Sequence, residues 1–246
     1  IFPIILIVFL ASCGSNQEQG SDQESQTQEE NTVQSLDFST DESESSSDQS
    51  GGLEASAVPS AERDAKFYFN QGTSSYNKGN YKAGIENFEK VIELDPENVR
   101  AYYNLGLGRY KLNNYAGAIE SFSYALGIQE NDTLSLLYRG LVYYQMQDFR
   151  NALMDYSKAI EINPNWAKAY YNRGTTRGQL KDYVGALKDF EKAISLQPNN
   201  GEFYYNRGLA YYKLQDVYNA CYDWQKAKDL GFQDAEKALS LYCRDQ

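Results

Sequence analysis

From Ala65 onward, small and apolar residues return every 34 positions, in windows 65–98, 99–132, 133–166, 167–200 and 201–234. The eighth place of every window is glycine (Gly72, Gly106, Gly140, Gly174, Gly208). With glycine at about 7% of ordinary sequence, five in register by chance has a probability on the order of two in a million. Place 20 is small each time (Gly84, Ala118, Ala152, Ala186, Ala220), and place 27 is Val91, Ala125, Ala159, Ala193 or Ala227. Large residues stand between them: Tyr68, Tyr102, Leu136, Tyr170 and Tyr204 at place 4, and Phe88, Phe122, Tyr156, Phe190 and Trp224 at place 24. Places 4, 8 and 11 share one helical face, as do places 20, 24 and 27, so each window predicts two helices whose small residues let them approach closely. Place 16, always Asn or Asp (Asn80, Asn114, Asp148, Asp182, Asp216), is the preferred cap for the orphan amides of the second helix. Pro96, Pro164 and Pro198 at place 32 end that helix, because the residue before proline is pushed out of the α region.

This pattern resembles the tetratricopeptide repeat family over five windows, the departures being Glu130 and Phe232 where Pro is usual and a polar Ser75 in the first window. The resemblance implies an all-α fold, a right-handed α-α superhelix of repeats 65–98, 99–132, 133–166, 167–200 and 201–234. After the last window, Ala235, Ala238, Leu239, Tyr242 and Cys243 form a stripe at helical spacing. Residues 235–246 are therefore expected to be a closing helix over the end of the stack, as solenoids require.

The first sixty residues differ in kind. Ile1 to Leu10 is apolar and runs into Leu-Ala-Ser-Cys at 10–13; it is too short to span a bilayer but fits the core of a secretory signal. It resembles a bacterial lipoprotein signal peptide, which implies removal of residues 1–12 and lipidation of Cys13. The chain opens at Ile1 with no Met and no basic leader, so the charged part of such a signal is not in view. Acyl chains on Cys13 would hold the protein on a membrane outside the cytoplasm, in the bacterial cell envelope. From Gly14 to Ser60 come eleven acids and no Lys or Arg, with twelve Ser and seven Gln. So little apolar surface does not offset chain entropy, and 13–60 is expected to be a disordered acidic tether with a span of roughly 40 Å.

That tether accounts for the whole formal net charge of −11; the remainder has 23 acids against 23 bases. It lacks the excess of cations that phosphate backbones attract, so no nucleic acid is expected as partner. The chain has no histidine, which excludes a Ser-His-Asp triad and any His-containing zinc site. We expect no catalytic residues, no metal and no cofactor.

Two features inside the repeats carry specific expectations. Cys221 stands where the other windows have Ile85, Ile119, Leu153 and Leu187, so it faces the closing helix that bears Cys243. Two states are open: a disulfide, permitted outside the cytoplasm, or two buried thiols acting as small apolar residues. Place 7 is Arg139, Arg173 and Arg207 in the same three windows whose place 23 is Asp155, Asp189 and Asp223; the others have Gln71 with Asn87 and Leu105 with Ser121. An ion pair between the two helices of one repeat follows, specifying packing more than stabilising it.

If places 4, 8 and 11 pack inward, places 2, 5, 6, 9, 12 and 13 face away, and in the resembled family that face lines the concave groove. Place 5 offers Phe69, Tyr103, Tyr171 and Tyr205; place 6 Asn70, Asn104, Tyr138, Asn172 and Asn206; place 12 Tyr76, Tyr110, Tyr144 and Tyr212; place 2 adds Arg100 and Lys168. Tyrosine gives contact area at small entropic cost and asparagine both donates and accepts, a combination suited to an extended polypeptide. The expectation is a lipid-anchored scaffold that binds a segment of a protein partner. The alternatives are a self-associating structural or spacer protein and a carboxylate-based hydrolase.

Overall fold

Asn80, Asn114, Asp148, Asp182 and Asp216 each turn a side-chain oxygen onto the amide three residues ahead, at 2.9 to 3.3 Å, and each begins a helix. The residue just before every cap is left-handed: Gly79, Asn113, Gln147, Lys181 and Gln215 have φ between 58° and 76°. The chain reverses there because the cap's own amide bonds back to a carbonyl of the preceding helix, as from Asp148 to Tyr143 at 2.9 Å. Only Gly79 takes this conformation without the steric cost of roughly 1–2 kcal/mol that other residues bear.

The computed structural model describes residues 60–243. The expected signal, the lipid acceptor Cys13 and the acidic tether lie outside them. The described helices run in sequence order: α1 (Ser60–Asn77), α2 (Tyr81–Leu94), α3 (Val99–Lys111), α4 (Tyr115–Ile128), α5 (Thr133–Gln145), α6 (Phe149–Ile162), α7 (Ala167–Gln179), α8 (Tyr183–Leu196), α9 (Gly201–Lys213), α10 (Val217–Asp229) and α11 (Asp234–Tyr242). Among the described residues there is no strand, and no helix is long and apolar enough to cross a membrane. Each odd-numbered helix up to α9 pairs with the next as a hairpin, and each even-numbered one packs on the first helix of the following hairpin. The result is an all-α solenoid closed by α11.

Its core is a repeated glycine-against-ring contact. Phe88, Phe122, Tyr156, Phe190 and Trp224 are almost fully buried, and each presses on the place-8 glycine of its own repeat. A Cβ on Gly106 would stand 2.7 Å from the Phe122 ring, and one on Gly140 the same distance from Tyr156. No methyl group fits there. Alanines at places 20 and 27 are fully buried on the other helix of the hairpin, so backbones nearly touch on both sides of the ring.

At the far end, Cys221 of α10 is bonded to Cys243, directly after α11. Tyr242 lies against Tyr212 (ring centroids 4.6 Å apart) and Trp224 (5.7 Å), and Phe232 against Tyr205 (4.9 Å). A nine-residue helix packed mainly on α10 has little stability of its own, and the crosslink removes open states from its ensemble. Reduction is expected to speed amide exchange in α11 by about tenfold or more while leaving α5 and α6 unchanged. Hydrogen exchange with and without a dithiol measures this; uniform exchange in both states would show the crosslink to be idle.

Candidate functional site

From Lys66 onward the first helices of the hairpins carry ten cations (Lys66, Arg100, Arg109, Lys111, Arg139, Lys168, Arg173, Arg177, Arg207, Lys213) against one acid, Glu202. Charge balance over the repeats thus hides a basic layer. Much of it is neutralised between helices. Arg139 donates from Nε and Nη2 to Asp155 at 2.8 and 2.7 Å, Arg173 to Asp189 at 3.0 and 2.8 Å, and Arg207 to Asp223 at 2.8 and 2.8 Å. All three are forked pairs within one repeat.

The arginines also reach backwards along the stack. Arg139 Nη1 donates to Ser123 Oγ at 3.0 Å and Arg173 Nη1 to Ser157 Oγ at 3.3 Å, both on the preceding repeat. Place 11, grouped with the inward positions on periodicity, holds Arg109 and Arg177 instead of an apolar side chain. Arg177 Nη1 donates to Asp189 at 2.8 Å and to the Gly185 carbonyl at 3.2 Å. Arg109 contacts Ser121, Glu120 and Glu89, filling the place left by Leu105 in the one window that lacks both Arg and Asp inside the stack. In the first window, Gln71 is exposed and Ser75 and Asn87 half-buried, with no preceding repeat among the described residues.

Burial pushes the Asp223 carboxyl above its ordinary value more than the Arg207 bonds pull it down. Burial also works against the charge of Arg207, but its hydrogen bonds to Asp223 together with the attraction of nearby negative groups outweigh it, and the guanidinium holds its proton more firmly. For Asp223 the sign follows. Its folded value exceeds the unfolded one, so the native state takes up this proton first as pH falls, and acidification through the carboxylate range relieves a cost present at neutral pH. Such a pair specifies register more than it adds stability.

The expected groove residues do not form one uniform surface. Places 4 and 5 lie about 40° and 60° to either side of place 8 around the helix, so both flank the glycine. Place 5 proves to be the ring that covers place 24: Phe69 on Phe88 (5.7 Å), Tyr103 on Phe122 (6.0 Å) and Tyr171 on Phe190 (6.0 Å). Place 4 instead carries cations, with Lys90 over Tyr68, Arg173 over Tyr170 and Arg207 over Tyr204. At place 12, Tyr76, Tyr110 and Tyr144 lean on the first residue of the following helix (Tyr81, Tyr115 and Phe149), while Tyr212 is covered by Tyr242.

Two assignments to the open face are corrected. Tyr171 is only 6% exposed and Asn206 1%. The Tyr171 hydroxyl donates to Glu202 at 2.7 Å and accepts from Asn206 Nδ2 at 3.1 Å, while Phe203 stacks on the Tyr171 ring at 4.9 Å. The cause is Glu202, which stands at place 2 where Lys66, Arg100 and Lys168 stand in other repeats. Its carboxylate draws the phenol into the junction of α7 and α9, and burial with that neighbouring charge raises the Tyr171 pKa well above its ordinary value. Tyr103 is raised likewise by burial and by Tyr138, whose ring centroid lies 5.7 Å from its own. Asn104 turns its amide onto the Arg100 carbonyl at 2.8 Å, and Asn172, Lys168, Tyr138 and Tyr205 are half-buried.

An open cavity lies at the first two repeats. Phe69, Asn70 and Arg100 line this cavity of about 540 Å³ together with Thr73, Ser74, Asn77 and Lys78. The last four were not singled out by sequence. Thr73 and Asn77 occupy places 9 and 13 of the outward face, and Lys78 only becomes a neighbour through the hairpin turn. The Arg100 guanidinium sits 5.0 Å above the Phe69 ring. Among the described residues no cluster of His, Cys, Asp or Glu could hold a metal ion.

Comparison with known proteins accords with this architecture. Models described as tetratricopeptide repeat match residues 69–133, 167–200 and 190–227, and one described as TPR repeat matches 140–181. No catalytic family is among them. No curated protein matches the sequence significantly. Among solved structures, a MamA protein aligns with a TM-score of 0.63 at 23% identity, covering 75% of this chain and 98% of its own. MamA from Desulfovibrio magneticus RS-1 gives 0.65 at 18%, covering 74% and 98%. YrrB, described as a TPR protein with an unusual peptide-binding site, gives 0.62 at 23%, covering 73% and 94%.

Proposed function

The chain belongs to the tetratricopeptide repeat family, and from that membership we propose that it is a non-catalytic scaffold holding an extended segment of a partner protein against its first helices. The observation that carries this reading is the face of the first helices: aromatic rings and amides, with Arg100 and Lys78 exposed at an open cavity lined by Phe69 and Asn70. A polypeptide offers what such a surface lacks, namely carboxylates, backbone groups for amides and apolar side chains for rings. The peptide-binding site of YrrB, a protein of the same fold, supports the choice of a peptide.

We further propose that Cys13 is lipidated and that residues 14–60 tether the repeats to a membrane of the bacterial cell envelope. The Leu-Ala-Ser-Cys box after ten apolar residues supports that placement, together with the acidic stretch that follows it. Metabolic labelling with a radioactive fatty acid is expected to mark the chain, and Cys13→Ala to abolish the label.

Groove binding is tested by in-cell photocrosslinking. A benzoylphenylalanine at exposed Asn70 is expected to capture one discrete protein, while the same group at Tyr218, 75% exposed on α10, is expected to capture none of it. Equal capture from both positions, or capture from Tyr218 alone, would sink the groove reading. Tyr171 is unsuitable as a probe position because its ring is buried.

A further inference from the structure

From Lys66 onward the first helices carry six arginines, and five of them are tied to carboxylates: Arg109 to Glu89 and Glu120, Arg139 to Asp155, Arg173 and Arg177 to Asp189, and Arg207 to Asp223. Arg100 is the exception. It lies over Phe69 at the mouth of the cavity between α1 and α3, and Lys78 lines the same cavity. Neither is paired with a carboxylate among the described residues, and none of the seven lining residues is acidic.

At the opposite end of the groove, polar and aromatic side chains of the same face are engaged within the chain. There the Glu202 carboxylate accepts from the Tyr171 hydroxyl, which in turn accepts from Asn206, and Tyr205 and Tyr212 are covered by Phe232 and Tyr242. The first two repeats, by contrast, present exposed cations beside an apolar ring. We infer that the cavity between α1 and α3 takes an acidic segment of a partner protein in which one large apolar side chain sits beside the carboxylates.

The inference rests on the groove reading and adds to it a place and a chemistry. The exposed part of the Phe69 ring offers apolar area beside Arg100, and a partner's aliphatic or aromatic side chain laid there excludes water from the guanidinium. A carboxylate arriving beside it is then attracted through a medium of lower dielectric than bulk water. Asn70 adds a carboxamide that can both donate to and accept from the partner's backbone. A basic or neutral segment would leave Arg100 and Lys78 partly desolvated without a counter-charge, which disfavours it.

The test uses the full chain and two fluorescein-labelled, C-terminally amidated peptides of equal length, followed by fluorescence anisotropy. One carries a single Phe followed by four Glu; in the other each Glu is Gln. The acidic peptide is expected to bind about tenfold or more tightly than its amide counterpart in low salt, the difference shrinking as salt screens the charges. Arg100→Gln and Lys78→Gln are each expected to weaken the acidic peptide by roughly threefold to tenfold and leave the amide peptide unchanged. Both side chains are exposed, so unaltered circular dichroism and melting temperature will show that the variants fold. Equal binding of the two peptides overturns the acidic preference while leaving the groove reading intact. So does failure of both peptides when crosslinking from Asn70 still captures a protein. Failure of both peptides and of crosslinking brings down the groove reading as well.

Discussion

Gly140→Val is expected to cost the solenoid about 3 kcal/mol or more, because overpacking of a rigid core has no soft neighbour to yield. A Cβ alone at this position would lie 2.7 Å from the Tyr156 ring, which is 1% exposed and cannot swing away. An alanine there would regain roughly 1 kcal/mol of helix propensity over glycine, partly masking the clash. Valine adds two methyl groups to the same gap and gains less propensity. Repeats touch only their neighbours, so damage at the third hairpin uncouples the first two from the last two. Urea unfolding followed by circular dichroism is expected to change from one transition to two. Exchange protection should fall first in α5 and α6. Gly127→Ala is the matched control: this helical glycine of α4 has nothing within 4 Å of its would-be Cβ, so the change is expected to stabilise by about 0.5–1 kcal/mol. Equal effects from the two substitutions would show that close approach is not why glycine recurs at place 8.

The same geometry explains which parts of the molecule could be read from sequence. Glycine, ring and cap recur because each answers a demand made in every repeat: backbone contact, a filled gap and orphan amides. The pairing of Arg139, Arg173 and Arg207 with aspartates in the same windows was legible because two positions change together. Left-handed Asn113, Gln147, Lys181 and Gln215 left no comparable mark, since an exposed side chain of almost any kind can be held in that turn by the cap and the hydrogen bonds around it. The split between places 4 and 5 was hidden for another reason. Both flank the glycine, and which ring covers place 24 is decided by the neighbouring helix. Nor does periodicity reveal that the Glu202 carboxylate holds the Tyr171 hydroxyl, onto which Asn206 then donates. The open cavity at the first two repeats is lined by both Lys78, in a hairpin turn, and Arg100, on the next hairpin, residues that no helical period links.

Asp189 is the carboxylate on which most depends, and Asp189→Ala is expected to cost about 2–4 kcal/mol, the range for removing one partner of a buried pair, lowered because the arginines keep some water. Its side chain is 3% exposed and receives Nε and Nη2 of Arg173 together with Nη1 of Arg177, whose side chains are 16% and 28% exposed. Removing it leaves two cations facing each other in a half-buried crevice. Asp155→Ala strands only Arg139 and is expected to cost less, so the difference between the two variants in urea unfolding reports the second arginine. Replacing the whole set by apolar groups differs in kind, because no charge is then left desolvated. Arg173→Met, Asp189→Leu and Arg177→Tyr together, the tyrosine being what the third and fifth repeats already hold at place 11, are expected to return stability to within about 1 kcal/mol of the starting protein. If the triple variant is no more stable than Asp189→Ala, the network supplies net stability and not only register. If Asp189→Ala costs no more than Asp155→Ala, Arg177 does not depend on the carboxylate, and its bond to the Gly185 carbonyl and its ion pair with Asp182 suffice to hold it.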